Sequence, residues 1–82
     1  MNKMGFPSRE TVARVREKYP VGCRVVLEQM NDEQAPPIGT EGTVYGVDDI
    51  ANVMVKWDNG SMLHVAYGED RCRRIKENTE NG

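Results

Sequence analysis

The stretch from Ile38 to Leu63 constrains this chain more than any other. It holds a glycine-punctuated run (Gly39-Thr40-Glu41-Gly42-Thr43-Val44-Tyr45-Gly46-Val47), a second apolar run (Val53-Met54-Val55-Lys56-Trp57), and then Asp58-Asn59-Gly60. Asn-Gly between two β-rich runs is a strong hairpin signal, because both central residues of a tight type I′ turn need positive φ. The middle of the chain is therefore expected to be antiparallel sheet.

Ahead of this sheet the pattern predicts a helix over about residues 8–18. Ser8 offers an N-cap hydroxyl, Glu10 sits in the first turn and Lys18 in the last, and Glu10 and Arg14 form a favourably oriented i,i+4 pair. Val12, Val15 and Tyr19 recur at spacings of three and four, which makes one narrow apolar stripe. Pro20 ends the helix, since the residue before a proline is pushed out of helical geometry.

Five short β runs follow, at Arg24–Gln29, Glu41–Val47, Val53–Trp57, Met62–Ala66 and Cys72–Ile75. In the first, Val25 and Leu27 alternate with Arg24, Val26 and Glu28; in the second, Tyr45 should face away from Val44. The connection from Met30 to Gly39 is long and polar, and its Pro36-Pro37 pair lacks ladder donors. Tyr67-Gly68-Glu69-Asp70 suits one tight or 3₁₀ turn. A long first connection, two tight hairpins and a turn before the last strand make the layout of a mainly β, five-stranded SH3-like barrel with one N-terminal α-helix. The expected organisation is a flexible N-terminus over 1–7, one domain over 8–75 and a flexible polar tail over 76–82.

Composition narrows the function classes. At 82 residues the chain makes one small domain. No run approaches the roughly 18 to 20 apolar residues of a membrane span, and the first residues lack the apolar centre of a secretory signal, so a cytoplasmic location is expected. Cys23 and Cys72 are far apart and His64 is the only histidine, which argues against a metal site. The two cysteines read as free thiols that behave as small hydrophobes, with a staple between terminal strands as the alternative. Charge is bipolar: residues 1–24 carry +4, residues 25–70 carry −8 with Lys56 as the sole base, and the rest carry +2.

The segments Gly39-Thr40-x-Gly42-Thr43-Val44, Val55-Lys56-Trp57-Asp58-Asn59-Gly60-Ser61 and Tyr67-Gly68-x-Asp70, with Arg24-Val25-x-Leu27-x-x-Met30-x-Asp32 before them, resemble a small bacterial and phage family catalogued as a domain of unknown function. The Lys-Trp-Asp-Asn-Gly piece is the most specific part. The resemblance implies no activity. The Gly-x-x-Gly-x-Val and Val-x-Trp pieces are also loosely similar to translation and transcription modules of the KOW type, which implies RNA or protein binding.

Two surfaces are candidate sites. Trp57 is a large residue in a small barrel and is expected in or half in the core; with Tyr45, Tyr67, Pro36, Pro37 and Ile38 it could also line a groove between the long loop and the central hairpin, where barrels of this shape bind peptides. The basic residues Arg14, Arg16, Lys18, Arg24, Arg71, Arg73 and Arg74 would form a phosphate-binding patch if the helix crosses the terminal strands. Asp48 and Asp49 read as turn residues and His64 as a surface histidine. No catalytic grouping and no cofactor signature stand out, so the expectation is a non-enzymatic interaction module. Another protein is the favoured partner, with nucleic acid as the alternative. A third reading, from the phage resemblance, is a mobile-element protein that modulates a host system. Oligomeric state is left open.

Overall fold

A computed structural model describes residues 6–75. Helix α1 spans Arg9–Lys18, and strands β1 (Arg24–Gln29), β2 (Glu41–Val47), β3 (Val53–Trp57) and β4 (Arg71–Arg74) form one antiparallel sheet in the order β3-β2-β1-β4. The described residues are thus mainly β with one helix. Residues 1–5 and the tail 76–82, both expected to be flexible, lie outside the described residues.

The helix forms for the local reasons its sequence contains. The Thr11 N–H donates to the Ser8 hydroxyl at 3.1 Å, which caps the first turn. At the other end Tyr19 has left helical geometry, at φ −124° and ψ 70°, in keeping with the bar on helical backbone before a proline. Arg16 then ties the helix to the sheet: its Nε and Nη2 donate to the Val47 carbonyl at 3.2 and 3.1 Å.

One face of the sheet carries the core. Val25, Leu27, Val44, Val47, Val53, Val55, Trp57 and Val65 form a single buried cluster, with Val15, Tyr19, Cys23, Met30 and Cys72 packed against it. The alternation expected for β1 and β2 holds, because Val25, Leu27 and Val44 are buried while Tyr45 is exposed. Tyr45 falls at a bulge in β2, between the pairs Val44↔Val55 and Gly46↔Met54. A second bulge interrupts the pairing of β1 with β4 between Leu27 and Gln29. Bulges sharpen twist and bend a sheet, and so help four strands wrap one interior.

The fourth expected run, Met62–Ala66, is not a strand. It contributes one bridge, Val53↔Val65, whose two N–H···O bonds measure 3.0 and 2.8 Å. Farther along, the Trp57 N–H donates to the Ser61 carbonyl at 2.9 Å, in the same register. The ladder opens between these points because Leu63 is engaged elsewhere: its carbonyl accepts the Trp57 indole N–H at 2.9 Å and its N–H donates to the Ser61 hydroxyl at 3.4 Å. The described sheet is therefore four-stranded and open.

The Asn-Gly turn also differs from expectation. Gly60 has φ +95° but Asn59 does not have positive φ, and the Gly60 N–H bonds to the Trp57 carbonyl at 2.9 Å. This is a type I turn followed by a left-handed glycine, a three-residue hairpin loop rather than the two-residue type I′.

Gly42 pairs with Trp57 across β2 and β3. A Cβ there would lie 2.6 Å from Val55 Cγ1, 2.8 Å from the Lys56 carbonyl oxygen and 2.9 Å from Trp57 Cε3. Gly42→Ala should therefore cost about 1–3 kcal/mol through overpacking. Urea denaturation checks this, and an unchanged midpoint would show that the Trp57 ring is not held against β2.

Candidate functional site

The sheet edge, the end of α1 and the turn before β4 enclose a groove of about 430 Å³. Val15 and Tyr19 enter from the helix side, Ala51 from the β2–β3 connection, Val53 from the start of β3, Val65 and Tyr67 from the segment leading into β4, and Cys72 from β4 itself; Lys18, Glu28, Asp70, Arg71 and Arg73 are the charged residues of the lining. Two turns position these residues. The Asp48 carboxylate accepts from the Ile50 and Asn52 N–H groups at 3.1 and 2.8 Å, which organises the β2–β3 turn and holds Ala51 at φ 67°. The Asp70 carboxylate accepts from the Ala66 N–H at 2.8 Å, and the Tyr67 N–H donates to the Asn52 side-chain oxygen at 3.0 Å. The second bond docks the Tyr67 turn onto the Asp48 turn. Asp48 and Asp49 thus both belong to the turn, as their type suggested, and Asp49 also pairs with Arg16 at 3.1 Å.

Tyr19 closes one side of the groove. Its hydroxyl donates to the Cys72 carbonyl at 3.1 Å, and Lys18 Nζ lies 5.5 Å from the centre of its ring. Burial pushes the Tyr19 hydroxyl up to about 12 and the Cys72 thiol up to about 11. Burial also raises Cys23. Cys72 pairs with Leu27, four positions along the chain from Cys23. The two cysteines are therefore offset along the sheet rather than opposite one another. Both are free, and the staple does not form.

Of the six residues expected to line a peptide groove, Tyr67 alone lines this one. Trp57 is 1 % exposed and belongs to the core, and Pro36 is buried as well. Pro37, Ile38 and Tyr45 are exposed, yet they do not line the groove. Tyr19, Val15 and Cys72 were not singled out from sequence as site residues. The available signal was Tyr19 itself, whose hydroxyl, at the end of an apolar stripe, needs a partner when it is drawn inward.

The seven basic residues do not form one patch. Arg24 faces the opposite side of the sheet from the core and makes a two-pronged contact with Asp58, Nη1 to Oδ1 at 2.9 Å and Nη2 to Oδ2 at 2.6 Å. The same guanidinium reaches Thr43 at 3.0 Å and Glu41 at 3.3 Å. Arg16 is held by Val47 and Asp49, and Arg73 pairs with Glu28 at 3.0 Å. Arg74 donates to the Lys18 carbonyl at 3.3 Å, a favourable cation at a helix C-terminus. Lys18, Arg71 and Arg74 make no ion pair among the described residues, nor does Arg14 on the helix. A second depression, of about 480 Å³, lies beside Pro7, Arg9, Val12, Arg16 and Asp49, where the Arg16 charge is already met.

Both titrating sets give a signed pH dependence. The hydrogen bond from Arg24 is the main reason the Asp58 carboxyl is held below its ordinary 3.8. Its contribution to stability is present above that value and lost as pH falls through the folded one. The melting-temperature gap between the wild type and Asp58→Asn should accordingly narrow below pH 3.8. On the alkaline side, Tyr19 keeps its proton in the fold between its ordinary 10.0 and about 12, so stability falls across that interval. Tyr19→Phe should be about 0.5–1.5 kcal/mol less stable at neutral pH for want of the hydrogen bond, and the gap should close above pH 10.0. A constant gap in either titration would overturn the corresponding assignment.

Among the described residues, no helix is long and apolar enough to cross a membrane, and no cluster of three or more His, Cys, Asp or Glu is placed to hold a metal ion. No curated protein and no solved structure matches the chain. The family model described as "Domain of unknown function (DUF4314)" matches residues 8–75, which begins at the helix cap and ends just past the last strand. The chain belongs to the DUF4314 family.

Proposed function

We propose that this protein is a cytoplasmic, non-enzymatic module that binds another protein, that it is built as an SH3-like barrel, and that the groove between α1 and β4 is its binding surface. The carrying observation is the groove itself, an apolar floor of Val15, Val53 and Val65 between two tyrosines. Apolar concavities with a few placed polar groups are where binding energy concentrates. The barrel reading draws support from register. Val53↔Val65 and the Trp57-to-Ser61 bond lie on one antiparallel alignment, so the segment that leads to β4 runs alongside β3 in strand register at its two ends, though it is not itself a strand. The non-enzymatic reading is supported by the thiols, whose burial keeps them protonated and poorly nucleophilic at neutral pH. Two free cysteines also suit a reducing compartment.

A second reading, nucleic-acid association, would draw on Lys18, Arg71 and Arg74, which make no ion pair with a described carboxylate. It is weakened because Arg16, Arg24 and Arg73 are each paired with an acid, which divides the positive charge among three places. Capture from lysate on immobilised protein separates the two. The expected result is a protein that is retained after nuclease treatment and lost with Tyr67→Ala, a variant whose circular dichroism matches the wild type. Loss of the captured material on nuclease treatment would move the assignment to nucleic acid.

A further inference from the structure

The charges on the rim of the groove are not balanced, and the imbalance has a sign. Glu28 and Asp70 are the carboxylates of the lining, set against Lys18, Arg71 and Arg73. Both carboxylates are already engaged: Glu28 accepts from Arg73 at 3.0 Å, and Asp70 accepts from the Ala66 N–H at 2.8 Å. Lys18 and Arg71 have no carboxylate within ion-pair distance among the described residues, and Arg74 stands beside Lys18, 3.3 Å from its carbonyl. The lip therefore carries one more cation than anion, with Lys18 and Arg71 free to meet a carboxylate that enters.

Shape limits the entrant as well. At about 430 Å³ the groove lies at the small end of the roughly 300–1,000 Å³ typical of ligand pockets, room for one bulky side chain rather than a folded element. Main-chain pairing along the free edge of β4 is obstructed. The Ile75 N–H bonds to the Arg24 carbonyl at 2.9 Å, which makes 24 and 75 a hydrogen-bonded pair and turns the Cys72 carbonyl outward, where the Tyr19 hydroxyl takes it. Recognition must then come from an apolar anchor and from charge.

We infer that the groove binds a short acidic segment of a partner protein, with one apolar side chain seated over Val15, Val53 and Val65 and its carboxylates on Lys18 and Arg71. This rests on the groove being the binding surface. A nucleic acid is disfavoured because a polyanion draws its affinity from a continuous track of cations, and Arg24, on the far face of the sheet, is held by Asp58.

The test is selection of a random displayed peptide library on the full-length chain, in parallel with Lys18→Glu/Arg71→Glu. The wild type should enrich peptides in which Asp or Glu flank one aromatic or long aliphatic residue. The double variant should bind the best of these at least about tenfold more weakly, and its own selection should turn to Lys and Arg. Tyr67→Ala should lose the same peptides without changing the sign preference among those that remain. Enrichment of neutral or basic peptides on the wild type, unchanged affinity on charge reversal, or no enrichment would overturn the inference, as would displacement of the peptide by a lower concentration of oligothymidylate. Lysate capture that depends on Tyr67 alongside a selection without acidic bias would leave the groove as the binding surface and remove only this partner class.

Discussion

Trp57 is the constraint on which the rest of the structure depends. Its ring is fully buried in a core otherwise made of Val and Leu side chains, and a residue of that size dominates the burial energy of so small a domain. Seating the ring requires a partner without a side chain on β2, which Gly42 supplies, and a hydrogen-bond acceptor for the indole, which the Leu63 carbonyl supplies. Satisfying the indole takes Leu63 out of the ladder that the two ends of the β3 hairpin begin. The chain from 62 to 66 is thereby freed from strand geometry. It returns to the sheet at Val65 and then bends through the Tyr67 turn to form one wall of the groove. A single buried aromatic thus settles both the interior packing and the irregular segment from which the candidate site is built.

The charge pattern resolves in the fold as pairing across elements. The acidic middle of the sequence and its basic ends meet in three places: Arg16 with Asp49, Arg24 with Asp58 and Glu41, and Arg73 with Glu28. Each pair joins segments distant in sequence, so the bipolar layout serves docking and register. Exposed pairs of this kind contribute little stability one at a time. Their larger effect is on recognition, because they engage Arg16, Arg24 and Arg73 and leave Arg14 and Lys18 on α1 and Arg71 and Arg74 on β4 without an ion pair among the described residues. Net charge read along the chain gave no sign of that selection.

Much of the secondary structure could be read directly from the residues. The Ser8 cap, the Val12-Val15-Tyr19 stripe and Pro20 bounded the helix, and the alternation around Val25, Leu27, Val44 and Val55 set three strands and their inward faces. These signals are local, each depending on the conformational preferences of a few neighbouring residues. What escaped were events decided by a distant partner. Met62–Ala66 looks like a strand until the Trp57 indole claims Leu63, and Pro36, a loop residue as expected, looks like part of a binding surface until the fold buries it. The groove escaped for the same reason, since Tyr19 and Tyr67 are far apart in sequence and meet through a hydroxyl on the β4 edge and a turn docked on Asn52.

By itself, the sequence determined that this would be a β-rich domain led by a short helix, with its apolar face on alternate residues and its turns at Asp48, Gly60 and Gly68. Short-range sterics, capping and side-chain periodicity suffice for that. Only the tertiary structure decided which aromatic is core and which is surface, which arginines remain unpaired, and where a concavity opens. Those outcomes follow from competition among long-range partners for a limited number of hydrogen bonds and a limited interior volume, and no local window of residues contains both sides of that competition.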